Sequence, residues 1–142
     1  MGHALKWCQT RLSSTMADQL ASASLYSVGS EYFVAMRKLY RERRDTMLRK
    51  LKEIPGVVCE EPKGAFYVMA ALPVDDAEKF QHWLLTEFED QGETLMYAFG
   101  APFYATLGRG RSEVRMAYVL DAPKLERAMD ILARAIEQYN AR

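Results

Sequence analysis

Four segments of the chain carry apolar side chains at the spacing of an amphipathic α-helix. The apolar positions are Leu5, Cys8, Leu12, Met16, Leu20 and Ala23 in the first segment, Phe33, Met36, Tyr40, Met47, Leu51 and Ile54 in the second, Phe80, Trp83, Leu84 and Phe88 in the third, and Leu125, Met129, Leu132, Ile136 and Tyr139 in the fourth. Those of the third and fourth segments are predicted to face inward. Helix-terminating or capping residues separate all four, so we expect four distinct helices.

The residues between these segments support that division. Gly29 can end the first helix, and Ser30 is a suitable N-cap for the second, which Pro55-Gly56 stops. The third helix is predicted to open at Pro73 and Asp75. The last follows an N-cap at Asp121.

Four shorter segments have the composition of β-strands. They are Val57–Cys59, Ala65–Ala70, Thr94–Phe99 and Glu113–Leu120, and a turn at 62–64 joins the first two. The predicted order is therefore α, α, β, β, α, β, β, α. This order indicates an α+β fold in which helices pack on a small, mostly antiparallel or mixed sheet.

The last predicted strand, EVRMAYVL, contains an arginine in an otherwise almost wholly apolar run. Such a run is typical of a strand buried on both faces. A guanidinium stays charged, and a desolvated charge without a partner costs several kcal/mol. Arg115 must therefore reach solvent, pair with a carboxylate of the protein as an edge-strand residue, or meet an anionic ligand. The residues alone leave these alternatives open.

Composition narrows the class of protein. The chain has 142 residues, 49% hydrophobic, with a formal net charge of zero. These values predict one globular domain and argue against a protein whose main partner is a polyanion. Two distant cysteines, Cys8 and Cys59, and the lack of a long apolar run favour a cytoplasmic protein without a membrane partner.

The sequence gives less support to other candidate functional residues. The second helix is rich in arginine and lysine, but interleaved acids favour a solvated face over a nucleic-acid interface. The run GRGRSE, residues 108–113, precedes a strand and lacks the third glycine of a phosphate-binding loop, so Arg109 and Arg111 are predicted to be exposed. His82 lacks partners for a metal site, and Lys63, beside Glu61, is predicted to be solvated.

Two longer motifs resemble a known family. They are RRDTMLRKLKEIPGVVCEEPKGAFYVMAALP and APFYATLGRGRSEVRMAYVL. Both are similar to the C-terminal part of fold-type I pyridoxal-phosphate (PLP) aminotransferases, with bacterial aspartate aminotransferases as the nearest group. The resemblance implies that residues 4–28 are an interdomain connecting helix and that residues 30–142 form the C-terminal small domain.

The resemblance also implies site residues. In that family the arginine of the Arg-x-Ala-Tyr-Val run binds the α-carboxylate of the amino-acid substrate, and this residue is Arg115 here. Gly64 is implied to lie toward the substrate entrance, where its lack of bulk permits approach. No catalytic, cofactor-binding or metal-binding residue is expected in this chain.

The family's Schiff-base lysine and cofactor-holding residues belong to a large domain whose motifs do not occur here, and Lys6 does not match them. The resemblance therefore implies a fragment that is inactive and binds no PLP by itself. The parent is implied to be a homodimer that uses PLP, amino acids and 2-oxo acids. Two alternatives are the small domain of another fold-type I enzyme, such as a lyase or a carbon–carbon bond-forming enzyme, and a non-enzymatic module that binds through its basic helix.

Overall fold

The computed structural model describes His3, Lys6 and residues 14–142. Of the apolar positions in the first predicted helix, Leu5, Cys8 and Leu12 lie outside the described residues, and Met16, Leu20 and Ala23 are exposed. The chain divides into two compact units, residues 1–36 and 37–142.

The first unit contains helix α1, Met16–Ala23, which continues into a short 3-10 helix at Ser24–Ser27. The prediction of one helix running from Leu5 to Ala23 is wrong at residues 14 and 15, which are not helical. Thr15 has an extended backbone and acts as the N-cap of α1, because its side chain accepts a hydrogen bond from the Asp18 amide.

Helix α2, Ser30–Glu53, ends just before the predicted Pro55-Gly56 stop. Its C-terminal part belongs to the second unit and buries Met47, Leu48 and Leu51. Gly56 follows with φ of 81°, a left-handed conformation that glycine adopts without steric cost.

The second unit contains a four-stranded antiparallel sheet. Its strands are β1 (Val58–Cys59), β2 (Tyr67–Ala71), β3 (Ala98–Phe99) and β4 (Glu113–Ala117). The spatial order is β1-β2-β4-β3, so β4 is a central strand with partners on both sides. The predicted α+β class and small sheet are confirmed, and the sheet is antiparallel throughout the described part of the chain.

All four strands are shorter than predicted: β1 begins at Val58, and β4 ends at Ala117 rather than at Leu120. For β2 and β3 the reason can be identified. Ala65 has φ of 61°, which is incompatible with a strand, so β2 begins at Tyr67. The segment predicted as Thr94–Phe99 joins the sheet only at its last two residues. The amide of Tyr97 instead donates to the side chain of Gln81 at 2.9 Å, which diverts this backbone from the ladder.

Helices α3 (Ala77–Thr86) and α4 (Ala122–Asn140) complete the unit. The predicted inward positions are buried or packed against the core, although Phe88 lies beyond the end of α3. Asp76, rather than Pro73 or Asp75, begins α3, because its carboxylate accepts hydrogen bonds from the amides of Glu78 and Lys79. Asp121 caps α4 as predicted.

The two faces of the sheet differ. Val68 and Ala70 of β2, together with Val114 and Met116 of β4, belong to the buried core. The alternate positions are half-buried or exposed, so the expectation that neither face of β4 meets solvent is wrong. Because side chains alternate along a strand, Arg115 lies on the open face. Among the described helices, none is both long and apolar enough to cross a membrane.

Candidate functional site

Arg115 lies in the middle row of the open sheet face. Its Cα is paired with that of Met69 on β2 and with that of Ala98 on β3. The arginine is therefore not on an edge strand, and its half-buried side chain projects from the most firmly paired part of the sheet. A central strand gives the guanidinium a rigid base, which a functional side chain requires.

Two aromatic rings contact the guanidinium. Its central carbon lies 5.1 Å from the ring centroid of Tyr67 and 4.6 Å from that of Phe103. A cation over an aromatic ring within about 6 Å is attracted by the ring quadrupole. The ring faces contact the guanidinium without accepting hydrogen bonds from its five N–H groups. A carboxylate would accept such bonds.

A compact loop brings Phe103 to Arg115. The 3-10 helix Ala101–Phe103 follows Gly100, whose amide donates to the carbonyl oxygen of Glu113 at 2.6 Å. A Cβ on Gly100 would lie 2.8 Å from the Cβ of Glu113, so only glycine allows this approach. The next residue, Tyr104, donates its hydroxyl proton to the Glu113 carboxylate at 2.6 Å.

Arg115 forms no ion pair or hydrogen bond with any residue in the described part of the chain. Glu113 is the acid on the same face of β4, two residues away, and its carboxylate is bonded to Tyr104. That bond raises the pKa of the Tyr104 hydroxyl. The acid nearest in the strand is therefore already engaged, and the positive charge of Arg115 is left uncompensated.

Arg115 also borders an open groove of about 680 Å³. Tyr67, Met96 and Leu120 contribute to its mostly apolar walls, and the groove separates the end of β4 from the segment preceding β3. Arg115 is the one charged residue among the described residues that line the groove.

Gly64 lies at the other predicted site position, in the turn before β2. A Cβ built on Gly64 would meet no atom within 4 Å, and its φ is not in the left-handed region. Neither backbone conformation nor packing within the described residues requires glycine here. The structure does not bring Gly64 into the groove beside Arg115; Gly64 borders a different cleft, with Arg37, Arg41 and Arg44.

The remaining candidates are surface residues. His82 and Lys63 are exposed, as are Arg109 and Arg111, and Arg111 pairs with Asp76 at 3.1 Å. Within residues 14–142 together with His3 and Lys6, no group of three or more His, Cys, Asp or Glu residues could hold a metal ion.

The basic helix α2 carries several local ion pairs. Arg44 pairs with Asp45 and Glu61, and Lys50 pairs with Glu53 and Asp130. These contacts agree with a solvated, partly neutralised helix face.

Comparison with known proteins identifies the family. The family model for class I and II aminotransferases matches residues 2–132. This chain belongs to the class I and II aminotransferase family. An aspartate aminotransferase of Pyrococcus horikoshii is 34% identical over 104 residues, which cover 72% of this chain and 25% of that protein. An aspartate aminotransferase of Musicola paradisiaca is 36% identical over 112 residues, which cover 75% of this chain and 25% of that protein.

A solved structure resembles this aminotransferase chain in three dimensions. The α-aminoadipate aminotransferase LysN of Thermus thermophilus, complexed with N-(5′-phosphopyridoxyl)-L-leucine, has a TM-score of 0.70 and 28% identity. The match covers 86% of this chain and 31% of LysN. The aminotransferase chain thus spans about a quarter to a third of the length of the proteins it matches.

None of the lysines in the described part is fully buried, as a lysine that forms a Schiff base with the cofactor is expected to be. A lysine in that role needs a lowered pKa, which burial in apolar surroundings or a neighbouring cation provides. Lys50 is the least exposed, and the hydrogen bonds that it donates to Asp130 and then to Glu53 raise its pKa instead. The others, Lys6, Lys38, Lys52, Lys63, Lys79 and Lys124, are exposed.

Sequence reasoning singled out Arg115 as a candidate and did not predict the two rings that contact it. Tyr67 lies within the Gly-Ala-Phe-Tyr motif, so its proximity to the site had a signal in the sequence. Phe103 lies in a loop without periodicity, and only the folded loop places it over the guanidinium.

Proposed function

We propose that this chain is the C-terminal small domain of a PLP-dependent, aspartate-aminotransferase-like enzyme. In this proposal residues 4–28 connect to a PLP-binding large domain outside this chain, and residues 30–142 form the small domain. Support comes from the family match and from relatives of which the chain spans only 25% to 31%. The complete enzyme is proposed to act as a homodimer in the cytoplasm.

Arg115 is proposed to bind the α-carboxylate of the amino-acid substrate. The observation that carries this assignment is the uncompensated guanidinium between the rings of Tyr67 and Phe103. An arginine with a structural role would be paired with a protein carboxylate, because an unpaired, half-buried charge is unfavourable. A carboxylate can accept two parallel hydrogen bonds from the planar fork of the guanidinium.

The reaction proposed for the parent is transfer of an amino group between an amino acid, with aspartate as the first candidate, and a 2-oxo acid such as 2-oxoglutarate. When bound, PLP supplies the electron sink for proton loss at the substrate Cα. Arg115 fixes the carboxylate on that same carbon and so restricts the direction of its C–H bond. Orientation of this kind lowers the entropic part of the barrier. Closure of the small domain over the substrate would exclude water.

The chain alone is proposed to be inactive, because its lysines do not fit the Schiff-base role. The aminotransferase names of the relatives favour transamination over the lyase and carbon–carbon bond-forming alternatives. They do not identify the amino acid that serves as substrate. Relatives include aspartate aminotransferases and an LL-diaminopimelate aminotransferase of Nitratidesulfovibrio vulgaris.

The Arg115 assignment is tested by kinetics of the enzyme that contains this chain. Replacing Arg115 by Lys keeps the charge and loses the fork, so we expect KM for aspartate to rise about 10- to 100-fold. Arg109→Lys, an exposed arginine in the preceding loop, is the matched control and keeps KM unchanged. Equal KM values for Arg115→Lys and the unsubstituted enzyme would remove Arg115 from this role.

The fragment proposal is tested separately on the chain itself. PLP is added, absorbance is followed for a saturable Schiff-base band, and aspartate is then added. We expect neither a saturable band nor conversion to the pyridoxamine form. Stoichiometric binding with turnover would refute the proposal and make Lys63 and Lys6 the next residues to replace.

A further inference from the structure

A second, smaller cleft lies between α2 and the turn that precedes β2. Its volume is about 210 Å³. Arg37, Arg41 and Arg44 line one side, and their spacing of four and three residues places them along one face of the helix. Lys63 and Gly64 line the side formed by the turn. Four cationic side chains therefore border one concave surface.

Arg44 holds the two sides together. Its guanidinium donates to Asp45 at 2.7 Å, pairs with Glu61 at 3.0 Å and donates to the carbonyl oxygen of Pro62 at 3.4 Å. The charge of Arg44 is thus neutralised, and its contacts with Glu61 and Pro62 fix the turn against the helix. The cleft is consequently defined by contacts between residues distant in the sequence.

Arg41 and Lys63, unlike Arg44, have no partner for their charge among the described residues. Their side chains are exposed, and neither forms an ion pair or a hydrogen bond with any residue that the structure describes. The backbone amides of Lys63, Gly64 and Ala65 also donate no hydrogen bond within the described part of the chain. The cleft therefore presents uncompensated positive charge together with unused N–H donors, which is the combination that binds oxyanions.

We propose that this cleft binds a small, doubly charged oxyanion, either a phosphate group or a short dicarboxylate. Arg41 supplies a planar fork for two oxygens, and Lys63 supplies a point charge from the opposite side. The volume suits one such group. The site is separate from Arg115: Tyr118, which also lines the cleft, is buried on the core side of the sheet, three residues beyond Arg115.

The proposal is tested by titrating the chain with inorganic phosphate and, in a second series, with succinate, at low and constant ionic strength. Amide chemical shifts in a ¹H–¹⁵N spectrum report binding residue by residue. We expect saturable shifts centred on residues 63–65, weakened by added sodium chloride. Saturation with phosphate alone would identify phosphate groups as the ligand class, and saturation with both would identify small dianions in general.

Matched double variants test whether the anion binds in the cleft. Arg41→Gln with Lys63→Gln removes two charges inside it, and we expect the affinity to fall at least about tenfold. Lys38→Gln with Arg109→Gln removes two charges at exposed residues that do not line the cleft, and we expect little change. Equal losses in both variants would mean general attraction to a basic surface and would overturn the proposal.

A third titration uses a short single-stranded oligonucleotide. If the oligonucleotide shifts the whole of α2 while phosphate and succinate give no saturable change, the basic helix serves an extended polyanion and the small-anion site is refuted. If phosphate or succinate saturates residues 63–65 and the oligonucleotide adds no further shifts along α2, the proposal stands.

Discussion

The guanidinium carbon of Arg115 lies 4.6 Å from the ring centroid of Phe103, on a loop that Gly100 and Tyr104 fasten to the start of β4. The ring covers a charged group that has no carboxylate partner among the described residues. This relationship makes Phe103 a positioning residue for Arg115 and leads to the first prediction.

Replacing Phe103 by Ala in the enzyme that contains this chain removes one of the two rings. A cation–π contact contributes about 0.5 to 2 kcal/mol, so we expect KM for the amino-acid substrate to rise about 3- to 30-fold, with a smaller change in kcat. Phe103→Tyr keeps the ring and restores KM. Leu107→Ala, in the same loop and 99% exposed, is the control. A KM change in Leu107→Ala as large as in Phe103→Ala would contradict this role.

The second prediction concerns Gln81, the buried polar residue of α3. Its side-chain oxygen accepts the amide hydrogen of Tyr97 at 2.9 Å. Replacing Gln81 by Ala leaves that buried amide unpaired, and we expect the free energy of unfolding to fall by about 1 to 3 kcal/mol. Urea denaturation measures the change, and Gln138→Ala on the exposed face of α4 is the control. Equal midpoints for the two variants would show that the contact contributes nothing.

The third prediction concerns the pH dependence of stability. Asp90 pairs with Arg127 at 2.7 Å and with Arg134 at 2.8 Å. The hydrogen bond from Arg127, followed by that from Arg134, lowers the pKa of the Asp90 carboxyl. Since this pKa is lower in the folded than in the unfolded state, the stabilisation is complete above about pH 4 and is lost as pH falls through the folded value.

We therefore expect Asp90→Asn to lower the urea midpoint at pH 7, and to lose less stability than the unsubstituted chain as the pH falls from about 5 into the acid range. Glu89→Gln, whose carboxylate is exposed and forms no ion pair within the described residues, provides the comparison. Parallel pH curves for Asp90→Asn and the unsubstituted chain would exclude Asp90 as a source of the pH dependence.

The fourth prediction contrasts two glycines. Gly100→Ala places a Cβ 2.8 Å from the Cβ of Glu113 and 2.9 Å from its carbonyl oxygen, so we expect a lower melting temperature. Gly64→Ala places a Cβ in open space, so we expect the melting temperature to stay unchanged. If Gly64 lies toward the substrate entrance, as the family resemblance implies, the same variant raises KM in the complete enzyme. A stable Gly64→Ala enzyme with unchanged KM would exclude that role.

Local sequence signals predicted most of the fold. Helices α2 to α4 were recognisable because their apolar stripes coincide with caps or stops such as Pro55 and Asp121, although Ser30, predicted as a cap, is the first residue of α2. Errors arose where a distant group competed for the backbone or where a local cap interrupted the apolar pattern. Gln81 takes the amide of Tyr97 out of the ladder, and Thr15 starts a helix where apolar spacing alone predicted continuity.

The sequence by itself determined the family and the α+β class and singled out Arg115 as a charge in an apolar strand, because motifs, periodicity and strand composition are all local properties. Only the tertiary structure decided that β4 is central, that Arg115 lies on the open face, and that Phe103 and Tyr67 hold it. These facts depend on which strands pair and how the loop after Gly100 packs. Such contacts join residues far apart in the chain, and no local pattern encodes them.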